Sequence, residues 1–323
     1  MYDLAIIGGG PAGVAAGVYA ARKKLKTIFI TKDFEGQSSV SDGIENWIGT
    51  VKISGPDLCL SIEKHLRAYA ADIVDIKKGE LAGTITKSTD GTYAISTITA
   101  AGKPAGSYTA KTILVTTGSH RRKLDVPGAD TFEHKGVTYC ATCDGPVFEG
   151  QDVAVIGGGN AAFESAAQLL AYCKSVTLVN RSDSFRADPV TVEKVLAHPN
   201  MRVAKNAVPK EVRGDKFASS FVYTDGDKNS PTFGKDVELA VGGIFVEIGS
   251  LPTTDYVKNL VKLNAYGNII VDPRTQRAES LDGSKAGIWA AGDCTDGLYH
   301  QNNIAAGDAV KALEDIYIYI KTR

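Results

Sequence analysis

The sequence predicts an α/β fold built from two similar units, and three observations carry that expectation. The segments Asp3-Leu4-Ala5-Ile6-Ile7-Gly8-Gly9-Gly10 and Asp152-Val153-Ala154-Val155-Ile156-Gly157-Gly158-Gly159 each lead from an apolar strand through glycines into small helix-forming residues. A second apolar strand follows each of them, at Thr27–Ile30 and at Val176–Val179. Further apolar runs close on glycine at residues 113–118, 244–249 and 288–292. Short continuous apolar runs between turn signals suit parallel strands covered on both faces.

Taken in order, glycines 8, 10 and 13 have the G-x-G-x-x-G spacing of a dinucleotide turn. The first allows the tight turn, the second lets backbone approach a pyrophosphate, and the third lets the helix pack on its strand. The helix start then offers free N–H groups to the phosphates. The acid that usually holds the ribose is missing at the next strand end, where Thr31 and Lys32 stand. Residues 57–71 have helical spacing, with Leu58, Ile62, Leu66 and Tyr69 on one face. From Ile73 to Val115 the pattern is of strands, with Asp90-Gly91 as a hairpin signal.

Tyr139-Cys140-Ala141-Thr142-Cys143-Asp144-Gly145 lies between the two glycine motifs. Its two thiols can close a disulfide, and C-x-x-C also occurs in metal sites. Zinc needs two further ligands, and the sequence has no second cysteine pair to supply them. In the second unit Ala162 takes the third glycine position, which the fingerprint permits. A helix is expected over residues 163–172, and hairpin-like strands around 215–234 with Asp225-Gly226 as a turn. A last helix is expected from about Ala305 towards Ile320.

The bulk numbers exclude several classes. At 323 residues the chain can hold two domains, and 43% hydrophobic with 23% charged residues is ordinary for a globular protein. A net charge of −1 leaves no footprint of nucleic-acid binding, and no basic block suggests a membrane surface. No apolar run reaches the roughly 18 residues of a bilayer span. The first residues enter a strand pattern without signal-peptide features, and Cys59, Cys173 and Cys294 are scattered singly. The cytoplasm is the expected compartment.

The second strand of the second unit is followed by Arg181 in place of an acid, with Arg186 five residues on. Guanidinium groups there suit the 2′-phosphate of NADPH. The first unit then calls for a different dinucleotide, FAD, because a flavin couples a nicotinamide to a dithiol.

With these motifs in their order, the chain resembles a low-molecular-weight thioredoxin reductase over essentially its whole length. The matching blocks are Gly8 to Gly13, Gly36-Gln37, Glu45-Asn46-Trp47, Cys140 to Gly145, Gly157 to Asn160, and Gly292-Asp293. It is similar also to the C-terminal portion of the flavoprotein subunit of alkyl hydroperoxide reductase. That relative carries additional N-terminal thioredoxin-like domains, and here electrons are expected to leave to a separate protein.

The resemblance implies two Rossmann-like domains of three-layer β/β/α type, with an NADPH domain inserted into an FAD domain. The expected boundaries are 1–117 and 244–323 for the FAD domain and 118–243 for the NADPH domain with the C-x-x-C. It implies FAD contacts at Gly8, Gly10, Pro11, Ala12, Gly13, Gly36, Gln37, Asn46, Gly118, Asp293 and Gln301. It implies NADPH contacts at Gly157, Gly159, Asn160, Ala161, Arg181 and Arg186. By the same resemblance Cys143 takes electrons from the flavin, Cys140 exchanges with the partner's disulfide, and Asp144 handles the proton. The partner implied is thioredoxin or a thioredoxin-like protein, and the assembly a homodimer. Gly118-Ser119 and Gly242-Gly243 are expected as hinges.

The sequence departs from the family at three places. The family's His-Arg-Arg is Asn180-Arg181-Ser182, which removes one cation and admits NADH as donor. His300 replaces a long basic residue before Gln301, and Asn302-Asn303 replace small or apolar residues after it. Two alternatives accompany the leading reading. One is an NADH-dependent reductase of a peroxiredoxin-linked or glutaredoxin-like carrier; the other is a flavin- and nucleotide-binding redox sensor without turnover.

Overall fold

The computed structural model describes residues 1–41, 43–283 and 287–322. The chain divides into two compact units, one of residues 1–120 and 251–323, the other of residues 121–250.

The first unit begins with β1 (Tyr2–Ile7), α1 (Pro11–Arg22), β2 (Thr27–Thr31), α2 (Gly55–Ala70) and β3 (Val74–Lys78). It continues through β4 (Glu80–Lys87), β5 (Tyr93–Thr99) and β6 (Pro104–Val115). Strands β3, β2, β1 and β6 run parallel in that order, while β6, β5 and β4 form an antiparallel meander. β6 serves both, because its first half pairs with β5 and its second half with β1.

Alternation along the strands sets the layers. Leu4, Ile6, Phe29 and Leu114 point to one face, against α1 and α2. Ala5, Ile7, Ile28, Ile113 and Val115 point to the other, against Ile85, Tyr93 and Ile95 of the meander. Each fully buried Leu, Ile, Val or Phe among them contributes about 1.5–3 kcal/mol.

The second unit repeats this plan. After β7 (Ser119–Arg121) come β8 (Val137–Thr138), α3 (Ala141–Asp144), β9 (Asp152–Ile156), α4 (Asn160–Leu169), β10 (Ser175–Val179) and α5 (Pro189–Leu196). Then follow β11 (Met201–Ala204), β12 (Ala207–Gly214), β13 (Ala218–Asp225), β14 (Asp236–Ala240) and β15 (Gly243–Val246). The parallel sheet has the order β11-β10-β9-β15-β8, and β12-β13-β14 form a separate antiparallel meander. Val153, Val155 and Phe245 face Phe163, Ala166 and Leu169 of α4; Ala154, Ile156 and Ile244 face Val212 and Phe221 of the meander. Both units are therefore helix, sheet and meander in three layers.

The chain returns through β16 (Ser250–Pro252) to β17 (Ile288–Ala290), which adds to β6, and to α6 (Asn302–Lys321). α6 lays Ala305, Ala309, Ala312, Leu313 and Ile316 into the same core as α1. No described helix is long and apolar enough to cross a membrane.

Two expectations need correction. The division at 243/244 fails because β15 begins at Gly243 and pairs with β9 inside the second unit, which runs on to Ser250. Gly242-Gly243 is therefore no junction; a Cβ at Gly243 would come 2.7 Å from the Phe148 ring. The first crossing likewise falls after His120 rather than after Thr117. The chain does turn after Asp225, between the antiparallel strands β13 and β14. Asp225 ends β13 buried, and its carboxylate accepts from Asp227 N at 2.9 Å and Thr232 Oγ1 at 2.5 Å, anchoring a longer loop. The tight hairpin lies between β12 and β13.

Candidate functional site

What a methyl group would meet separates the glycines of each turn. A Cβ on Gly8 or Gly13 would run into the backbone of Thr116 or Gly8, and one on Gly9 into Thr31 and Asp33. Gly10 alone of the four faces open space. In the second unit Gly157 is closed by Glu247 O and Gly158 by the Asn180 side chain, and again Gly159 alone is open. Each open glycine is the N-cap of the helix that follows, α1 or α4, and neither cap has a side-chain acceptor. By contrast, Ser54 caps α2, and Asp188 caps α5. A turn with one bare glycine against unsatisfied helix N–H groups fits a pyrophosphate. Pro11 and Ala12 in the first unit, and Asn160 and Ala161 in the second, are the opening residues of those helices.

The residues at the two strand ends are committed to their own loops. Thr31 is buried and donates from Oγ1 to Asp33 O. Asn180 is buried and donates from Nδ2 to Ser182 O at 2.7 Å and Ser184 O at 3.0 Å. Each uses its side chain to fold the following loop and to wall Gly9 or Gly158, so neither is free to read a ribose. The second loop is stapled further by Arg186 N to Gly158 O at 2.7 Å and Asp188 N to Asn160 Oδ1 at 2.8 Å. Arg181 and Arg186 are exposed on that loop and make no ion pair with a described residue.

In the first unit several residues distant in sequence come together. Gln37 Nε2 donates to Ser119 O at 2.7 Å and to Asp293 Oδ2 at 3.3 Å. Asn46 Nδ2 donates to Gln301 Oε1 at 3.2 Å, and Asn303 Nδ2 to Asn46 O at 2.6 Å. Asn302 accepts from Ser38 Oγ at 2.9 Å. The residues that depart from the family pattern thus hold the loops together. His300 Nδ1 lies 3.3 Å from Asp293 Oδ1. A Cβ on Gly292 would come 3.6 Å from that of Ala12, which sets Asp293 beside the start of α1. Gly36 and Gly118 take positive φ of 65° and 62° with open space around them.

The cysteine pair is closed: Cys140 and Cys143 form a disulfide with Cα atoms 5.3 Å apart. Cys140 caps the short helix α3, and the Cys143 N–H donates to its Sγ at 3.2 Å. Asp144 is half-buried and accepts from Thr138 Oγ1, whose oxygen also accepts from Cys140 N at 3.4 Å. Thr142 Oγ1 ties α3 to Gln168 of α4 at 3.0 Å. The remaining cysteines are inert by environment: Cys59 and Cys173 are buried, and burial pushes the Cys294 thiol up to about 12. Sequence reasoning passed over Thr138 and Glu247. The signal for Glu247 was an acid in the apolar run that ends β15.

The profile of the pyridine nucleotide-disulphide oxidoreductase family matches residues 2–309, and the chain belongs to that family. Within that family its likeness is to thioredoxin reductases in structure and to an alkyl hydroperoxide reductase subunit and an NADH dehydrogenase in sequence. It is 39% identical to a subunit of alkyl hydroperoxide reductase from Pseudomonas aeruginosa over 312 residues, covering 96% of this chain and 57% of that one. It is 35% identical to an NADH dehydrogenase of Bacillus subtilis over 331 residues, covering 99% and 58%. The chain thus spans less than two thirds of the length of these curated relatives. Among solved structures, thioredoxin reductase from Streptococcus pyogenes is 33% identical with a TM-score of 0.84, covering 100% of this chain and 99% of that one.

Proposed function

We propose that the protein is an NAD(P)H-dependent disulfide reductase that passes electrons through Cys140 and Cys143 to a thioredoxin-like protein. The observation that carries this reading is the closed Cys140–Cys143 pair beside Asp144, in a chain with two open glycine turns. FAD would be held by Gly8, Gly10, Pro11, Ala12, Gly13, Gly36, Gln37, Asn46, Gly118, Asp293 and Gln301. The nicotinamide nucleotide would be held by Gly157, Gly159, Asn160, Ala161, Arg181 and Arg186. The flavin, when bound, supplies a two-electron link between a reduced nicotinamide and a disulfide.

The residues of the chain then perform thiol–disulfide exchange. Once the pair is reduced, the Cys143 N–H stabilises negative charge on Cys140 Sγ. The Cys140 thiolate attacks one sulfur of the partner's disulfide, forming a mixed disulfide and releasing the other as a thiolate. Cys143 next attacks Cys140 Sγ, which restores the Cys140–Cys143 bond and frees the partner's second sulfur. The partner gains two electrons and two protons, and Asp144, oriented by Thr138, relays protons to and from the sulfurs.

A second reading has a specific observation behind it. Asn180 turns inward to fold its loop, leaving only Arg181 and Arg186 for a 2′-phosphate, which favours NADH as donor; the acceptor in that reading is a peroxiredoxin-linked or glutaredoxin-like carrier. Anaerobic reduction by NADPH and by NADH, followed at the flavin band, separates the donors. Turnover with a panel of thioredoxin-fold proteins then separates the acceptors. Bleaching by neither nucleotide defeats both readings. The non-turnover sensor requires that no acceptor be reduced.

A further inference from the structure

Glu247 is a buried charge that the exchange chemistry leaves unused. It follows β15 directly, and its side chain is only 5% exposed. β15 pairs with β9 on the side opposite β10, so the strand order reverses between β9 and β15. In open parallel sheets the ligand crevice lies at the carboxyl ends of the strands at such a reversal.

Backbone and side chain both join Glu247 to the glycine turn. Its N–H donates to Ile156 O at 2.8 Å, and its carbonyl occupies the space a Cβ on Gly157 would need. Its Oε1 accepts from Ser165 Oγ of α4 at 2.8 Å, and its Oε2 lies 3.5 Å from an Arg121 guanidinium nitrogen. Burial raises its proton affinity; Arg121 and Ser165 oppose that, and Glu164 on α4 adds to it. Arg122 packs instead beside Gly249, two residues on, its N–H donating to Gly249 O at 3.0 Å.

We propose that Glu247 couples proton uptake to nucleotide binding in the second unit, a role that rests on the nucleotide reading above. A dinucleotide brings pyrophosphate charge to the start of α4, the helix whose Ser165 holds the carboxylate. In a poorly solvated setting that charge disfavours a second anion nearby, so the bound state holds the Glu247 proton at higher pH than the free state. Between those two values binding takes up protons. Reciprocity then requires the nucleotide to bind more tightly as pH falls through that window.

The test is calorimetric titration of the FAD-loaded protein with NADPH and with NADH, in buffers of different ionisation heat, between about pH 5 and pH 8. The wild type should take up a fraction of a proton and gain about fivefold or more in affinity toward acid. Glu247→Gln keeps an acceptor for Ser165 but has no proton to gain, so its uptake should vanish and its affinity profile flatten. Equal uptake by wild type and E247Q overturns the proposal. Should E247Q fail to fold, Arg121→Gln removes the counter-charge and should move the uptake window to higher pH; an unmoved window overturns the proposal as well. Absence of any nucleotide binding by the wild type would instead strike the nucleotide reading.

Discussion

In the first unit the third glycine of the turn, Gly13, has no room for a methyl group, because a Cβ would run into Gly8 O. In the second unit the same position is Ala162, and its methyl is fully buried without displacing the turn. The helices differ in the same sense. α1 is covered on its outer side by Ala305, Ala309 and Ala312 of α6 and buries glycines or small residues almost all round. α4 leaves Glu164 and Ala167 exposed and buries one face only. A helix clamped between a sheet and another helix must approach closely, and closeness requires glycine. A helix with one free face can stand off by a methyl.

The chemistry divides more sharply than the packing, since only the second unit carries a dithiol. Cys140→Ser or Cys143→Ser should cost roughly a thousandfold or more in disulfide-reductase turnover, with both nucleotides still bound. Loss of flavin from either variant would contradict that separation. The spectra distinguish the two sulfurs: Cys140→Ser should give a long-wavelength thiolate–flavin band and Cys143→Ser should not.

Exchanging the third turn residue tests the packing contrast. Gly13→Ala should destabilise the protein by about 3 kcal/mol, within the range of overpacked cores. Ala162→Gly should cost only about 1 kcal/mol, the helix-propensity difference. Equal shifts in urea midpoints would remove the contrast.

The open glycines test what the turns share. Gly10 and Gly159 have φ of −73° and −102°, which alanine adopts without strain, and a methyl there meets nothing in the protein. Gly10→Ala should lower flavin occupancy and Gly159→Ala should weaken pyridine nucleotide binding, each by about tenfold, with melting temperatures nearly unchanged. A clear fall in melting temperature would show that the space is not reserved for a ligand. The most local effect is expected at Asn180→Ala. Freeing the carbonyls of Ser182 and Ser184 should cost about 1–2 kcal/mol and loosen the loop that carries Arg181 and Arg186, read as faster hydrogen exchange there.

Much of the site was legible because it is local. The glycine spacing requires only that one strand turn into one helix, and the cysteine pair only that two thiols be three residues apart. The strand ends were harder. Thr31 stands where an acid is expected and Asn180 where the family has histidine, whereas both are buried and spend their side chains on neighbouring carbonyls. Direction of a side chain is a property of the surrounding packing. Gly242-Gly243 misled for the opposite reason: flexibility in the sequence became rigidity where the Phe148 ring fills the missing side-chain volume.

The sequence by itself determined the two glycine turns, the apolar strands behind them, and the Cys140–Asp144 constellation. Each depends on spacing within a few residues and on backbone geometry that few residue types permit. Only the tertiary structure decided what meets across long separations: Gln37 with Asp293, Asn46 with Gln301, and Ser165 with Glu247. It also decided that the second unit ends at Ser250, because β15 pairs with β9 rather than with the strands that follow. Pairing partners and buried charges depend on which distant segments a compact core brings together, and no local pattern in a single chain encodes that.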